Sequence, residues 1–327
     1  MPEQPPLVLA VVPEHIGGRR LGGSLAAAFE SSARIVVVER AEEVPATLAE
    51  ATVIITALSP ISAEHIAAAP RLRVVQCASH GSDHVDLGAA FSRGIRVATI
   101  RTTGAEKDDV AEHVFALMLT LAKQILAGHL ALRNGDWALP QLQRSITELF
   151  GKTLGIVGMG EVGLEVARRA AAFGMTVIYN DRHPPDAEGS SFEGARWEPL
   201  DDLLRASDYV TLHLPLTPET RTLIDARRLS LMKSSAFLIN TSRGALVDQQ
   251  SLAVALERGI IAGAGIDVFD PEPPSRSMRL LHAPNVVLSP HVAGVTRETV
   301  VRIAQAAFAN VLRYLTTGDL ADEVTDS

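Results

Sequence analysis

Four short apolar runs punctuate the start of the chain: LVLAVV (7–12), RIVVVE (34–39), ATVIITAL (51–58) and RLRVVQCAS (71–79). None alternates apolar with polar residues as a strand with one wet face does, so each predicts a strand covered on both sides. Ala-rich stretches such as GSLAAAFE fall between them. Strand and helix in alternation predict a small parallel α/β domain. The pattern restarts at KTLGIVG (152–158) and continues through MTVIYND (175–181), DYVTLHLPL (208–216), SAFLIN (235–240), AGAGIDVF (262–269) and NVVLSP (285–290). Helical segments separate most of these runs, which predicts a second, larger parallel sheet. One long helix is expected over 109–132, crossing into that sheet, and a last one over 298–315 that can return towards the first. No Gly/Ser linker divides the two sheets. The expectation is two parallel-sheet domains with helical crossovers and a cleft between them, a usual place for a small-molecule site.

Composition narrows the partners. A chain of 327 residues is too long for one ordinary core, which agrees with two domains. Lys and Arg number 30 against 38 Asp and Glu, a net charge of -8. That balance argues against nucleic acid and anionic membrane as partners, and leaves room for a local basic pocket around a small anion. Cys77 is the only cysteine, so no internal disulfide forms and a reducing, cytoplasmic setting is expected. On its apolar strand it reads as a buried small hydrophobe rather than a nucleophile. The N-terminal apolar run has no basic leader and reads as a strand, not a signal peptide. The apolar helical stretch 112–132 carries Glu112, His113, Lys123 and His129, which predicts a buried or partner-packed helix, not a membrane span. No metal site is expected.

The stretch LGIVGMGEVGLEVARRAAAFG carries the clearest chemistry. Gly158, Gly160 and Gly163 form G-x-G-x-x-G directly after a strand and at the start of an amphipathic helix. The first glycine permits the tight turn and the second lets a pyrophosphate approach the backbone. The third lets the helix pack on its strand, and the helix N-terminus offers N–H donors to phosphate oxygens. Strand before, helix after and an acid about 20 positions on make the motif specific for a dinucleotide. That acid is Asp181. It is expected to accept hydrogen bonds from an adenosine ribose and to repel a 2′-phosphate, favouring NAD. Arg182 and His183 follow at once and keep NADP open.

INTSRGALVD (239–248) places Arg243 beside Gly244 at the mouth of a buried strand. Glu272 lies in DVFDPEPP (267–274) and His291 in LSPHVAG (288–294), each after a strand of the same sheet. Singly, these read as a surface ion pair, a rigid Pro-rich turn and a structural histidine. Together they supply the parts of one reaction, hydride transfer at the C2 of a 2-hydroxy acid. A histidine titrates nearest neutrality and serves as acid and base. A carboxylate beside it stabilises the imidazolium and fixes the ring. An arginine binds the substrate carboxylate bidentately and polarises the carbonyl.

Five motifs, GKTLGIVGMGEVGLEVARRAAAFGM, LHLPLTPETRTLID, INTSRGALVD, AGAGIDVFDPEP and NVVLSPHVAG, stand in the order and spacing of one family. From about residue 71 to 315 the chain resembles the NAD-dependent D-isomer-specific 2-hydroxyacid dehydrogenases, the glyoxylate/hydroxypyruvate reductase, D-lactate and phosphoglycerate dehydrogenase group. The resemblance implies a Rossmann cofactor domain over 104–294 and a flavodoxin-like substrate domain from 1–103 and 295–327. It implies Arg243, Glu272 and His291 as the catalytic set acting on a small 2-oxoacid or 2-hydroxyacid. Glu161 and Val162 join the glycines at the cofactor, with His213, Leu214 and Pro215 at its adenosine end. Thr241 and Ser242 lie along it, Asp267 meets the nicotinamide carboxamide, and Gly294 closes the set. A homodimer built on the cofactor domain is implied, through the 109–132 helix and residues 133–142.

CASHGSDHVDLGAA (77–90) resembles the family's substrate-carboxylate loop, with backbone N–H groups around Ser79, His80 and Gly81. His80 is either a specificity residue or an exposed loop histidine. The chain departs from the family at TIRTTGAEKDDVAEH (99–113), where an Asn-x-Pro-Gly turn is usual. That segment is either a solvated turn or a way of bringing charge to the substrate. Leu320 replaces a usual proline, and the ending ADEVTDS is polar and reads as frayed. Two other functions fit the motifs: an NAD-sensing regulatory or scaffold protein on the same fold, and a formate- or phosphite-type dehydrogenase.

Overall fold

The computed structural model describes residues 5–14, 18, 19, 23, 33–182 and 194–325. The chain divides into two compact units, residues 1–106 with 295–327, and residues 107–294. The Ala-rich stretch after Gly23 and His183 lie outside the described residues.

In the first unit β1 (Leu7–Val11), β2 (Arg34–Val38), β3 (Val53–Thr56), β4 (Val74–Cys77) and β5 (Arg96–Ala98) form one sheet, ordered β2-β1-β3-β4-β5. Every pairing is parallel, and the order is the flavodoxin-like one. β1, β3 and β4 are buried along their whole length, as near-continuous apolar sequence predicts for a strand covered on both faces. β5 is absent from the sequence expectations: three residues beginning with a charge give no pattern to read. Its free edge is covered by the chain's end, where Ala98 bridges antiparallel to Glu323 and the Val324 N–H donates to the Val97 carbonyl at 2.8 Å. Arg96 grips Glu323 with two hydrogen bonds of 2.9 and 2.8 Å. The polar ending is therefore paired through these residues and not frayed there, because an exposed sheet edge offers it partners.

The C-terminal helix, Arg297–Thr317, belongs to this unit. Thr296 caps its start by accepting the Thr299 N–H at 3.1 Å, and Gly318 ends it in the left-handed region at φ 81. Its buried Asn310 donates to Gln76 of β4 at 2.7 Å and to the Ala321 carbonyl at 2.9 Å. Gln76 donates in turn to the Thr99 carbonyl at 3.0 Å. Helix, sheet and tail are thus locked by one satisfied polar network in an apolar setting.

The second unit holds β6 (Thr153–Val157), β7 (Thr176–Asn180), β8 (Ala195–Trp197), β9 (Tyr209–Leu212), β10 (Phe237–Asn240), β11 (Gly263–Ile266) and β12 (Val286–Leu288). The sheet is parallel throughout, ordered β12-β11-β10-β9-β6-β7-β8. Counted from β6, this is the Rossmann order with one more strand on the far edge. The direction of winding reverses between β6 and β9, and the crevice at such a reversal is where doubly wound sheets bind ligands. β8 was not anticipated, since Ala-Arg-Trp is too short and too polar to show a period.

The long helix expected over 109–132 is two helices, α1 (Lys107–Ala122) and α2 (Ile125–Arg133), bent by 59°. Gln124 breaks the run by taking a left-handed φ of 51. α1 packs on β10 and β11 and buries Val114, Leu117, Met118 and Leu121. α2 buries nothing. The apolar pattern runs on through both because both are apolar, one towards its own core and one towards the surface. Among the described residues no single helix is long and apolar enough to cross a membrane.

Candidate active site

The turn after β6 leads into α3 (Glu161–Ala172), capped by Gly160. Gly158 holds φ 98, a conformation L side chains rarely adopt. A Cβ on Gly163 would lie 2.2 Å from the Gly158 carbonyl oxygen, so the helix sits as close to the turn as a hydrogen atom allows. A Cβ on Gly160 would meet nothing within 4 Å, which leaves open space at the helix N-terminus. Val162 is half-buried and Glu161 exposed beside it. Asp181 follows β7, and its carboxylate accepts the Met159 N–H at 2.9 Å and the Arg182 N–H at 2.7 Å. The acid is thus fixed against the glycine turn, with Arg182 exposed next to it.

Across the switch point, His213 and Leu214 follow β9 and press on Gly158, and Pro215 lies exposed beyond them. Burial pushes the His213 imidazole down to about 3, so the ring is neutral. Its Nε2 meets Thr211 Oγ1 at 2.9 Å, while its buried Nδ1 has no partner among the described residues. Thr241 Oγ1, after β10, is likewise buried without a partner. Buried polar atoms are rarely left unsatisfied. Two of them after neighbouring strands, beside a glycine turn with room above it, fit a polar ligand of dinucleotide shape.

The turn after β10 is tied by Asn240, which donates to the Arg243 carbonyl at 2.9 Å and accepts the Ser242 N–H at 3.1 Å. Ser242 Oγ donates to the Leu212 carbonyl at 2.6 Å, which binds this turn to the end of β9. Gly244 is the close-approach residue. A Cβ there would fall 2.1 Å from the Phe269 carbonyl carbon, so only glycine lets the Arg243 turn lie against the segment after β11. That segment carries Glu272, whose Oε1 accepts the Phe269 N–H at 2.8 Å. Its Oε2 meets His291 Nδ1 at 2.7 Å. Burial pushes the Glu272 carboxyl up, but His291, the Phe269 N–H and the Arg243 charge outweigh it and hold the group below the usual range. Arg243, Glu272 and His291 therefore follow three neighbouring strands, β10, β11 and β12, in one electrostatic unit.

His291 sits at φ 54, a left-handed conformation that costs a non-glycine residue about 1–3 kcal/mol. Asp267 imposes it. The carbonyl of Asp267 accepts the His291 N–H at 2.7 Å. Its fully buried carboxylate takes Ser289 Oγ at 2.5 Å, the Val292 N–H at 3.0 Å and the Ala293 N–H at 2.9 Å. Gly294 follows directly. Burial would raise the Asp267 carboxyl, but His113, Ser289 and the two backbone donors bring it down to about 2. His113 reaches Ser289 Oγ at 2.8 Å from α1. Neither His113 nor Ser289 was among the sequence candidates, and a separation of 176 residues left no local pattern to find the pair.

In the first unit the loop after β4 is closed by Ser79, which donates from Oγ to the Gly81 carbonyl at 2.7 Å. The Ser79 carbonyl accepts the Ile100 N–H at 3.1 Å. His80 is not an exposed loop histidine. Its side chain is 24% exposed and its Nδ1 lies 2.5 Å from Glu106 Oε1. Cys77 is fully buried and its thiol is pushed up to about 12, an inert core residue as its strand position implied.

A Rossmann sheet with a glycine turn at its switch point defines the second unit as a dinucleotide-binding domain. The sequence profile of the D-isomer specific 2-hydroxyacid dehydrogenase NAD binding domain matches residues 115–293. A glyoxylate reductase of Korarchaeum cryptofilum is 40% identical over 285 residues, 85% of this chain and 82% of that protein. The solved glyoxylate reductase from Paecilomyes thermophila is 30% identical at a TM-score of 0.85, covering 100% of this chain and 99% of its own. An NAD-dependent formate dehydrogenase from Staphylococcus aureus, solved with NAD, is 30% identical at a TM-score of 0.87, covering 98% and 99%. The chain belongs to the D-isomer specific 2-hydroxyacid dehydrogenases, and its second unit carries their NAD-binding domain.

Proposed function

We propose that the protein reduces short 2-oxoacids of the glyoxylate type to D-2-hydroxyacids, with NADH as the preferred cofactor. The observation that carries this reading is the 2.7 Å contact of His291 Nδ1 with Glu272, beside the Arg243 charge that lowers the Glu272 carboxyl. The nicotinamide, when bound, supplies the hydride. Arg243 holds the substrate carboxylate through its planar fork and draws charge towards the carbonyl oxygen. His291, with Nδ1 turned to Glu272, delivers a proton from Nε2 to the carbonyl oxygen as C2 is reduced, and takes it back in the oxidative direction. Glu272 stabilises the imidazolium and fixes the ring. On this reading the N–H groups around Ser79, His80 and Gly81 form the substrate-carboxylate loop of the first unit.

Gly158, Gly160, Glu161, Val162 and Gly163 would hold the pyrophosphate, and Asp181 the adenosine ribose, with rejection of a 2′-phosphate. The unsatisfied His213 Nδ1 and Thr241 Oγ1 favour further polar contacts there, with Leu214, Pro215 and Ser242 alongside. Asp267 and Gly294 would stand at the nicotinamide end. A homodimer is part of the same reading. Ile125, Leu126, Leu130, Leu132, Trp137 and Phe150 are each at least half exposed, and a partner copy would cover them. A single buried cysteine accords with a cytoplasmic enzyme.

The test is loss of reduced-nicotinamide absorbance with NADH and NADPH, each against glyoxylate, hydroxypyruvate, pyruvate and a branched 2-oxoacid. Fast oxidation of NADH by a short 2-oxoacid is the expected result. Silence with all four, together with NAD reduction by formate, would replace this reading with the formate-type one. Silence throughout with cofactor binding intact would point to a regulatory protein.

A further inference from the structure

α1 comes down on β11 at contact distance. A Cβ on Gly265 would lie 2.9 Å from the Leu117 Cβ, so glycine there lets the helix rest on the strand. His113 stands one helical turn before Leu117, and Asp267 stands two residues after Gly265. Residues four apart lie over one another on a helix, and alternate residues of a strand share a face. The ladder runs on through Asp267, whose N–H donates to the Asn240 carbonyl at 3.0 Å. The two spacings together deliver the His113 ring to the end of β11. Its Nε2 lies 2.8 Å from Ser289 Oγ and 3.5 Å from Asp267 Oδ1, and the side chain is only 22% exposed. All of these residues belong to the second unit.

The direction of each hydrogen bond follows from where the protons are. The Asp267 carboxylate is ionised at neutral pH and only accepts. Ser289 Oγ, 2.5 Å from Asp267 Oδ1, therefore gives its one proton to that oxygen. A lone pair of the hydroxyl is then what faces His113, so the shared proton sits on Nε2 and the ring donates. The Ser289 N–H donates to the Ile266 carbonyl at 3.0 Å and the His291 N–H to the Asp267 carbonyl at 2.7 Å. The Val292 and Ala293 N–H groups donate to the two Asp267 carboxylate oxygens. The loop from Ser289 to Ala293 is thus wound on the end of β11, and the last donor in the series is carried by a helix. We propose that His113 is a positioning residue for the acid–base histidine: through Ser289 and Asp267 it holds the left-handed backbone of His291, and with it the ring that meets Glu272. This rests on reading His291 as the proton donor in 2-oxoacid reduction. Without the Nε2 proton the Ser289 hydroxyl is free to turn away from Asp267, and the carboxylate loses one of the donors that fix its plane. A reacting group displaced by about 1 Å loses rate by roughly a hundredfold.

His113→Leu removes the donor at similar bulk, Ser289→Ala removes the hydroxyl between ring and carboxylate, and His113→Gln sets an amide N–H where Nε2 lies. For each, kcat and KM for glyoxylate are measured at saturating NADH. Hydrogen exchange by mass spectrometry follows the backbone amides of residues 289–293 in the same proteins. In His113→Leu and Ser289→Ala kcat is expected to fall about tenfold or more while KM stays within about threefold, because Arg243 is untouched. Exchange of the His291, Val292 and Ala293 amides should quicken about tenfold in the same two variants. His113→Gln should bring both readouts back to within about threefold of the wild type. An unmoved kcat in folded His113→Leu overturns the proposal. An equal fall in His113→Leu and His113→Gln does so too, since bulk and not the donated proton would be the cause, as does a loss confined to KM. If His113→Leu does not fold, Ser289→Ala decides by the same criteria. Wild-type enzyme that turns over no 2-oxoacid overturns the dehydrogenase reading and the proposal with it, whereas wild-type turnover with unmoved variants overturns only the role given to His113.

Discussion

Asp267→Asn removes one charge from the fully buried carboxylate that shapes the loop of His291. Holding that carboxyl at about 2 instead of 3.8 stabilises the folded state by about 2 kcal/mol at neutral pH. Counting bonds gives a similar figure. An Asn keeps one acceptor oxygen but turns an NH2 towards the Ser289, Val292 or Ala293 donors, which orphans at least one buried group at about 1–3 kcal/mol. The group is depressed in the folded protein, so its stabilisation is present above the unfolded value near 4 and is lost as pH falls towards 2. The gap between wild type and variant is therefore about 2 kcal/mol at pH 7 and roughly half that at pH 3. Urea unfolding followed by tryptophan fluorescence measures it, because Trp137 and Trp197, the only tryptophans, both lie in the second unit. Equal stability at pH 7, or a gap that stays constant down to pH 3, would refute the electrostatic role assigned to Asp267.

Three further outcomes are expected. Gly163→Ala puts a methyl 2.2 Å from the Gly158 carbonyl. The turn must open, and NADH affinity by fluorescence titration should fall about tenfold or more; unchanged binding would show that the third glycine is dispensable. Asp181→Ala releases the Met159 N–H and removes the charge facing a 2′-phosphate. The NADPH-to-NADH ratio of kcat/KM should rise about tenfold, and an unmoved ratio would place cofactor choice elsewhere. Leu130→Glu combined with Trp137→Glu charges two of the most exposed apolar positions. Light scattering should then report half the wild-type mass, while a wild-type particle that is already one chain would dispose of the homodimer.

Much of the architecture could be read from the chain because burial writes itself into composition. A strand covered on both faces is apolar at nearly every position, so β1, β3, β4, β6, β9 and β10 stood out. The edge elements β5 and β8 did not, being three residues long with a charged residue in each. The break at Gln124 was equally invisible, since α1 and α2 are apolar for different reasons and their periodicities join without a seam. The glycine turn and Asp181 were legible as a local pattern, because a turn, a helix start and an acid at a fixed offset all lie within one β-α-β unit.

Arg243, Glu272 and His291 were legible in a different way. Each stands after a strand of one parallel sheet, and in a parallel sheet such positions fall on one edge whatever the loops do. The sequence by itself therefore determined two parallel sheets, the dinucleotide turn and which polar residues stand at strand mouths, since these follow from short-range sterics and from burial. Tertiary structure alone decided what those residues touch. Gly244 opens the approach not to a ligand but to the backbone of Phe269, Asp267 is clamped by His113 and Ser289, and Glu106 finds His80. Each of these pairings joins residues far apart in the chain. Their distances come from how strands are ordered and loops cross within each unit, and no local pattern of apolar and polar residues encodes that.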